Sequence, residues 1–145
     1  ALLDAARGNG GSLSLCLIDV DYFKRINDEH GHLAGDRALR HAVDTLQEGL
    51  DEGDWLTRLG GEELALVMNA PTGRAWEHLE TLRRMVASSP FLPEPSSAPL
   101  RLTFSAGIAS WPQDGNDLSQ LLRRADLRLR RAKLEGRNRI SARDT

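Results

Sequence analysis

A continuous apolar run near the beginning of the chain constrains the fold more than any other feature. Residues 12–20 (SLSLCLIDV) follow Gly10 and Gly11 and contain no charged side chain before Asp19. So short an apolar run, bounded by glycines, is typical of a strand that is buried on both faces. We therefore expect a central strand with other elements packed on both sides of it.

The spacing of apolar residues along the rest of the chain predicts four helices and further strands. Asp21 is expected to cap a short helix that ends near His30 and Gly31. The further predictions are helices over residues 34–49, 74–88 and 118–134, strands over 55–59, 64–68, 100–109 and 139–141, an irregular connection over 89–99 and a turn over 111–115. This order predicts an α+β fold with a ferredoxin-like βαββαβ core and an additional helix after the first strand.

Length and charge narrow the class of protein. The chain has 145 residues, 40% of them hydrophobic, which suits one domain, and its net charge of −2 argues against a generally basic nucleic-acid-binding or membrane-surface protein. The charge is uneven, because residues 119–145 hold nine basic and three acidic side chains, whereas the rest holds ten basic and eighteen acidic ones. Most of these C-terminal arginines are expected to be solvated or paired with acidic groups: Arg123, Arg124, Arg128, Arg130 and Arg131.

Cysteine usage and the lack of long apolar segments bear on localisation. The single cysteine, Cys16, lies within the apolar run and is expected to be a small buried hydrophobe. No stretch reaches the roughly 18 apolar residues of a membrane span, and no signal peptide opens the sequence, so a reducing cytoplasm fits best. Because the chain begins at Ala1 without methionine, we expect it to be a piece of a larger protein, whose other parts could include a sensor or a membrane anchor.

Three carboxylates are the first candidates for a functional site. Asp19 ends the first strand, and Glu62 and Glu63 follow Gly60 and Gly61 in a tight hairpin. If that hairpin neighbours the first strand, the three carboxylates meet at one rim of the sheet. Such oxygens suit Mg²⁺ or Mn²⁺ beside a phosphorylated substrate. The alternative is that the aspartates only cap a helix and the glutamates are solvated turn residues.

Basic and polar residues near this rim suit a nucleotide. Lys24 and the free amides of Tyr22 and Phe23 at a helix start could bind phosphate, although a lone lysine is more often a surface residue. Lys133 and Arg137 bracket Gly136, where cations also complement a helix C-terminus. An amide with a carboxylate, as in Asn27 and Asp36, can read guanine.

Four motifs in sequence order carry a family resemblance. These are DVDYFKRINDEHGHLAGD at 19–36, RLGGEEL at 58–64, FSAGIA at 104–109 followed by AD at 125–126, and KLEGRN at 133–138. Together they resemble the GGDEF family of diguanylate cyclases over residues 13–140. The resemblance implies a single GGDEF domain that condenses two GTP into cyclic di-GMP and two pyrophosphates, with one GTP held by each subunit of a homodimer.

The resemblance also implies a role for each matching residue. Asp19, Glu62, Glu63 and the Val20 carbonyl would hold two Mg²⁺ or Mn²⁺ ions per half-site, and Glu62 or Glu63 would assist deprotonation of the 3′-hydroxyl. The substrate contacts would be Asn27, Asp36 and His32 on the base and ribose side, and Lys24, Lys133, Arg137 and the amides of Tyr22 and Phe23 on the phosphates. Lys24 would count with the two glutamates as catalytic, Arg58 would support the site, and Gly60 and Gly61 would leave room for the nucleotide.

Three departures from the family pattern limit the resemblance. Leu64 stands where phenylalanine is usual, and the expected Arg-x-x-Asp inhibitory site reads Asp51-Glu-Gly-Asp54, so cyclic di-GMP is not expected to bind there. The usual lead-in motif is absent, and residues 1–9 are predicted to be the helix after it. The alternative function is therefore a catalytically silent domain that binds GTP as a regulatory module. A ferredoxin-like interaction domain without nucleotide would require the motifs to be coincidence.

Overall fold

A computed structural model of the protein describes residues 11–143 and contains four helices and seven strands. In chain order these are β1 (Leu13–Val20), α1 (Phe23–His30), α2 (His32–Glu48), β2 (Trp55–Gly60), β3 (Glu63–Met68), α3 (Thr72–Ser88), β4 (Pro90–Phe91), β5 (Leu100–Arg101), β6 (Phe104–Trp111), α4 (Leu118–Leu134) and β7 (Ile140–Ser141). The α+β class and the extra helix after the first strand are confirmed.

The main sheet has the order β2-β3-β1-β6-β7, with β1 at its centre. β1 pairs antiparallel with β3 and with β6, and β7 pairs parallel with β6. All eight residues of β1 are buried, as its apolar sequence predicts. β4 and β5 form a separate two-stranded sheet.

The two faces of the sheet are covered unequally. Alternate residues of a strand point to opposite faces, so Cys16, Ile18 and Val20 pack with the apolar residues of α1, α2 and α3. We call this side the three-helix face. Leu13, Leu15 and Leu17 instead pack with α4 alone, in a smaller cluster. We call this side the single-helix face.

Helix α4 lies unusually close to β6 on the single-helix face. A Cβ atom on Gly107 would come within 2.1 Å of the Ala125 carbonyl oxygen and 2.3 Å of the Leu129 nitrogen, both of them backbone atoms of α4. Only glycine at this position allows the helix backbone to approach the strand so closely.

A buried ion pair ties α4 to the same strand. Arg128 donates to both carboxylate oxygens of Asp114 at 2.9 Å and to the Ile108 carbonyl at 2.7 Å, and the Ser110 amide donates to Asp114 at 2.8 Å. Burial acts to raise the pKa of Asp114, but the hydrogen bonds from Arg128 and Ser110 and the Arg128 charge outweigh it and lower the pKa. The expected pairing of this basic segment is confirmed for Arg128, and Arg130 and Arg131 pair with Asp126 and Glu135.

Several local predictions were wrong. Asp21 does not cap α1, because Tyr22 occupies the N-cap position with a left-handed backbone (φ 58°) and no side chain caps the helix. The predicted strand over 100–109 is divided into β5 and β6, and β6 extends through Trp111. β5 pairs with β4, a short strand in the connection that was predicted to be irregular. Residues 1–9, predicted to be helical, lie outside the described residues.

Two tryptophans lie at the surface of the protein. Trp55 is 56% exposed on β2, an edge strand of the sheet, and Trp76 is 40% exposed on α3. Ala75 joins Leu79, Leu82 and Val86 in the core. Cys16 is buried as expected, and burial raises the pKa of its thiol.

Candidate functional site

Strand pairing brings the acidic residues to one rim of the sheet. Asp19, near the end of β1, is the direct antiparallel partner of Glu63, the first residue of β3. The Val20 amide donates to the Glu62 carbonyl at 3.3 Å, which holds the hairpin tip beside the strand end. The expected convergence of Asp19 with Glu62 and Glu63 is therefore confirmed for the backbone.

The β2–β3 hairpin gets its shape from glycine and from Arg58. Gly61 has φ 50°, a conformation that glycine adopts readily, and the pairing register shifts between Arg58 and Gly60. Arg58 donates to the Gly61 carbonyl through Nε at 3.2 Å and Nη2 at 2.9 Å. No described atom lies within 4 Å of a Cβ built on Gly60 or Gly61, so the backbone at the tip faces open space.

Asp19 combines burial with competing charges. Its side chain is 9% exposed and pairs with the Lys133 ammonium, which arrives from the end of α4. Burial raises the pKa of Asp19, the charges of Glu62 and Glu63 raise it further, and the hydrogen bond and charge of Lys133 act in the opposite direction. A cation at this rim would offset the negative charges that act on Asp19.

The donor atoms at this rim suit hard divalent cations. Asp19, Glu62 and Glu63 supply carboxylate oxygens, which Mg²⁺ and Mn²⁺ prefer, and they leave coordination positions for phosphate or water. The side chains are not drawn into one tight cluster: among residues 11–143, the group whose donor atoms all lie within 4.8 Å consists of Asp51, Asp54 and His78. The residues at the rim fit a metal shared with a substrate better than one enclosed by protein alone.

The predicted phosphate contacts surround the same rim. Lys24 is exposed on the first turn of α1, and Tyr22 and Phe23 lie where β1 passes into that helix. Arg137 lies in the turn after α4, in which Gly136, Arg137 and Asn138 all have positive φ (126°, 63° and 49°). Its guanidinium carbon lies 5.1 Å from the centre of the Tyr22 ring. Lys24 therefore lies on the helix that follows β1, and Arg137 lies beside the residue at the start of that helix.

The predicted base contacts lie on the three-helix face, where α1 meets α2. A Cβ atom on Gly35 would come within 1.7 Å of Asn27 Oδ1, so glycine at 35 makes room for the Asn27 side chain. Asn27 Oδ1 is buried and has no hydrogen-bond partner among the described residues, and Asp36 and His32 are exposed beside it. An unpaired buried amide oxygen is unusual and suits a site that a polar ligand completes.

Two residues of this site were missed as functional candidates. Asp21, expected only to cap a helix, is buried and accepts hydrogen bonds from three residues in two distant segments, and Gly35 shapes the Asn27 site. Nothing in the local sequence could show this for Asp21, since its partners are 82 to 117 residues away. Gly35 could have been questioned, because glycine inside a helix lowers its stability and needs a packing reason.

The family match extends over almost the whole chain. Residues 1–139 match the family described as "Diguanylate cyclase, GGDEF domain". The chain belongs to the GGDEF family. The resemblance drawn from four short motifs is therefore confirmed.

Individual GGDEF proteins share both sequence and structure with this chain. It is 41% identical over 134 residues to the diguanylate cyclase DgcP of Pseudomonas aeruginosa (91% of this chain, 19% of that protein) and 35% identical over 141 residues to the response regulator PleD of Caulobacter vibrioides (97% and 31%). The GGDEF domain of DgcB from Caulobacter crescentus, solved in complex with c-di-GMP, superposes with a TM-score of 0.88 at 28% identity, covering 96% of this chain and 82% of that one. The chain thus spans a fifth to a third of the length of these curated relatives.

The signature hairpin of this GGDEF domain ends in Leu64. Leu64 is fully buried in the larger core cluster. The signature's last residue therefore anchors the hairpin to the three-helix face, while Glu62 and Glu63 remain at the rim.

The other end of the hairpin carries the stretch predicted to lack inhibitor binding. Asp54 accepts from the Asp51 amide at 2.9 Å and pairs with His78 of α3 at 2.9 Å, while Asp51 lies 3.6 Å from the same imidazole nitrogen. In this GGDEF domain two carboxylates thus occupy the place of an Arg-x-x-Asp pair.

None of the helices within residues 11–143 has both the length and the apolar character that a membrane crossing requires.

Proposed function

We propose that the chain is the catalytic domain of a diguanylate cyclase, which condenses two GTP molecules into cyclic di-GMP and two pyrophosphates. The observation that carries this proposal is the pairing of Asp19 with Glu63 at a rim that also holds Glu62 and Lys133. The two acidic segments belong to neighbouring central strands, so their spacing is set by the sheet. Phosphoryl transfer depends mainly on such positioning and on charge neutralisation.

The carboxylates and the basic groups have different roles in binding the triphosphate. Asp19, Glu62, Glu63 and the Val20 carbonyl would hold two Mg²⁺ or Mn²⁺ ions, which when bound supply neutralisation of phosphate charge. Lys24, Lys133, Arg137 and the amides of Tyr22 and Phe23 bind the phosphates and orient the α-phosphate for in-line attack. Glu62 or Glu63 accepts the proton of the attacking 3′-hydroxyl.

The residues proposed to recognise guanine lie on the three-helix face. Asn27, whose Oδ1 has no hydrogen-bond partner within residues 11–143, and Asp36 bind the guanine edge, with His32 on the ribose side. A buried amide left unpaired by a wrong base costs free energy, which gives discrimination against other nucleotides. Gly35 keeps the space in which Asn27 sits.

The reaction requires two copies of the site. Each 3′-hydroxyl attacks the α-phosphate held by the other subunit, so we propose an antiparallel homodimer with the two rims face to face. We propose that residues 1–145 form one GGDEF domain of a longer protein, in which another domain senses a signal or promotes dimerisation. We place the reaction in the cytoplasm, where GTP is available.

Product inhibition at Asp51–Asp54 is not part of this proposal. A phosphate approaching this turn would meet the carboxylates of Asp51 and Asp54, which lie 3.6 and 2.9 Å from the His78 imidazole. We propose that cyclic di-GMP does not bind there. Submicromolar binding in calorimetry that is lost in Asp51→Ala would contradict this.

The experiment compares product formation by the wild type and by active-site variants. At high protein concentration with GTP and Mg²⁺, chromatography should detect cyclic di-GMP from the wild type and none from Asp19→Asn or Glu63→Gln. Glu52→Gln, an exposed carboxylate outside the rim, is the matched control and should retain activity. GTP binding without product, even after fusion to a dimerising domain, would favour the alternative of a silent GTP-binding module.

A further inference from the structure

Asp21 is a buried carboxylate that the proposed reaction does not use. Its side chain is fully buried, although it lies only two residues after Asp19 at the open rim. Burying a carboxylate is costly unless hydrogen bonds and a positive charge compensate it. The partners of Asp21 therefore indicate what it holds in place.

Those partners come from two segments remote in sequence. Oδ1 accepts from the Ser105 hydroxyl at 2.6 Å and lies 3.9 Å from Arg137 Nη1. Oδ2 accepts from the Thr103 hydroxyl at 2.7 Å and from the Asn138 amide at 2.9 Å. The carboxylate thus connects the end of β1 with the start of β6 and with the turn after α4.

The turn that Asp21 holds has an unfavourable backbone conformation. Arg137 and Asn138 both have left-handed φ values, which cost non-glycine residues free energy and persist only when surrounding contacts impose them. The hydrogen bond from the Asn138 amide to Asp21 is one such contact, and that from Arg83 Nη1 to Asn138 Oδ1 at 2.7 Å is another. The ring of Tyr22, 5.1 Å from the Arg137 guanidinium, supports the side chain from a second direction.

We propose that Asp21 is a positioning residue that holds Arg137 in place for the triphosphate. The inference rests on the proposed function, since it takes Arg137 as a phosphate contact. Asp21 itself touches neither substrate nor reacting atoms. It aligns the Arg137 guanidinium before GTP binds, so that less conformational freedom is lost on binding.

Asp21→Asn tests this with almost no change in volume. The hydroxyl groups of Thr103 and Ser105 can rotate and accept a hydrogen bond from the new side-chain NH₂ group. The Asn138 N–H and the Arg137 guanidinium can only donate. Whichever way the new amide turns, its NH₂ group faces one of these two donors. We expect KM for GTP to rise about tenfold with kcat changed less than about threefold, as for a loss of ground-state binding.

A double-mutant cycle distinguishes positioning from a general loss of stability. If Asp21 acts through Arg137, Asp21→Asn should raise KM by less than about twofold in an Arg137→Ala background. Asp54→Asn is the matched control, because it also removes the charge of a largely buried carboxylate, 8% exposed, but one that pairs with His78 at the other end of the β2–β3 hairpin. Its effect on KM should be the same with and without Arg137. Equal, multiplicative effects of Asp21→Asn in both backgrounds would overturn the proposal.

A second readout needs no GTP. The Arg137 Nε–H signal in NMR, assigned by its loss in Arg137→Ala, should move towards those of exposed arginines in Asp21→Asn and stay unchanged in Asp54→Asn. An unchanged signal in Asp21→Asn would contradict the proposal even if the protein is an active cyclase, whereas absence of product with the expected shift would contradict only the proposed function. If Asp21→Asn does not fold, Ser105→Ala, which removes a donor that competes with Arg137 for Oδ1, should shift the same signal in the opposite direction, and an unchanged signal would contradict the proposal.

Discussion

The two faces of the central sheet are held together by different means. On the three-helix face, large apolar side chains from α1, α2 and α3 fill the space above β1, β3 and β6. On the single-helix face, the cluster of buried apolar residues is smaller. Helix α4 is held there by its close backbone approach to Gly107 and by the Arg128–Asp114 pair. Side chains on the three-helix face can adjust slightly to a substitution, whereas the backbone contact on the single-helix face cannot.

This difference matters because each face supplies a different part of the proposed site. Asn27 and Asp36, the proposed guanine contacts, belong to α1 and α2 on the three-helix face. Lys133 and the turn with Arg137 follow from α4 on the single-helix face. A fixed position of α4 therefore sets the distance between the proposed phosphate contacts and Asp19. We expect substitutions on the single-helix face to lower both stability and phosphate binding. We expect substitutions on the three-helix face to change one of stability and substrate binding without an equal change in the other.

The largest effect is expected from Gly107→Ala. The new Cβ would meet backbone atoms of α4 at 2.1 and 2.3 Å, which cannot rotate away, so the helix must move. We expect a loss of about 4 kcal/mol in the free energy of unfolding, at the upper end for single substitutions, together with loss of GTP binding. Urea denaturation and calorimetry with GTP measure the two effects.

Gly73→Ala is the matched control for this substitution. Gly73 lies in the first turn of α3, and a Cβ there meets no described atom within 4 Å. Because alanine is the better helix former, we expect stability to rise by up to about 1 kcal/mol. A similar loss of stability in both variants would show that α4 is not held by backbone contact with β6.

The second-largest effect is expected from Asp114→Asn, which removes the Asp114 charge that pairs with the 5% exposed Arg128 side chain. Loss of one partner from a buried pair costs about 3 kcal/mol. Asp126→Asn removes the partner of exposed Arg130 in the same helix and should cost less than about 1 kcal/mol. Equal losses in these two variants, by urea denaturation at pH 7, would contradict the comparison.

The Asp114 pair should also give a characteristic pH dependence. The pKa of Asp114 is lowered in the folded state, so the unfolded chain binds the proton more readily. Its contribution is complete above the unfolded pKa of about 3.9 and is lost as the pH falls through the lowered folded value. The difference in stability between the wild type and Asp114→Asn should therefore be constant from pH 6 to 7 and shrink below about pH 4.

Gly35→Ala should have a smaller effect, confined to substrate binding. The new Cβ would meet the end of the Asn27 side chain, which can rotate away, so stability should fall by no more than about 1 kcal/mol. The displaced amide no longer reads the base, and we expect KM for GTP to rise about tenfold, equivalent to about 1.4 kcal/mol. A loss of stability as large as that of Gly107→Ala would remove the distinction between the two faces.

Leu64→Phe is expected to have the smallest effect. Leu64 is 1% exposed in a core that is packed around it, so a larger ring costs about 1 kcal/mol or slightly more. Because the side chain points away from the rim, the rate of cyclic di-GMP formation should stay within about twofold. An increase of both stability and activity would show that the hairpin is loosened by leucine at this position.

Much of the fold followed from local patterns. The apolar run of β1, the helical spacing in α2 and α4, and the glycines at 60 and 61 each depend on neighbours within a few residues, and all of these elements are present. The errors occurred where distant contacts decide the outcome. Asp21 was predicted to cap α1 because aspartate often does so, but donors from Thr103, Ser105 and Asn138 bind its carboxylate instead. The short pairing of β4 with β5 had no periodic signal in a proline-rich connection.

The sequence by itself determined the order of the elements, the central position of β1 and the four motifs of the GGDEF family, because these depend on residue types at short, regular spacing. The tertiary structure alone decided which groups face one another across the sheet. It placed Asp21 against the turn with Arg137, Gly107 against α4 and His78 between Asp51 and Asp54. Contacts between residues far apart in the chain depend on how helices and strands pack, and no local preference specifies that packing.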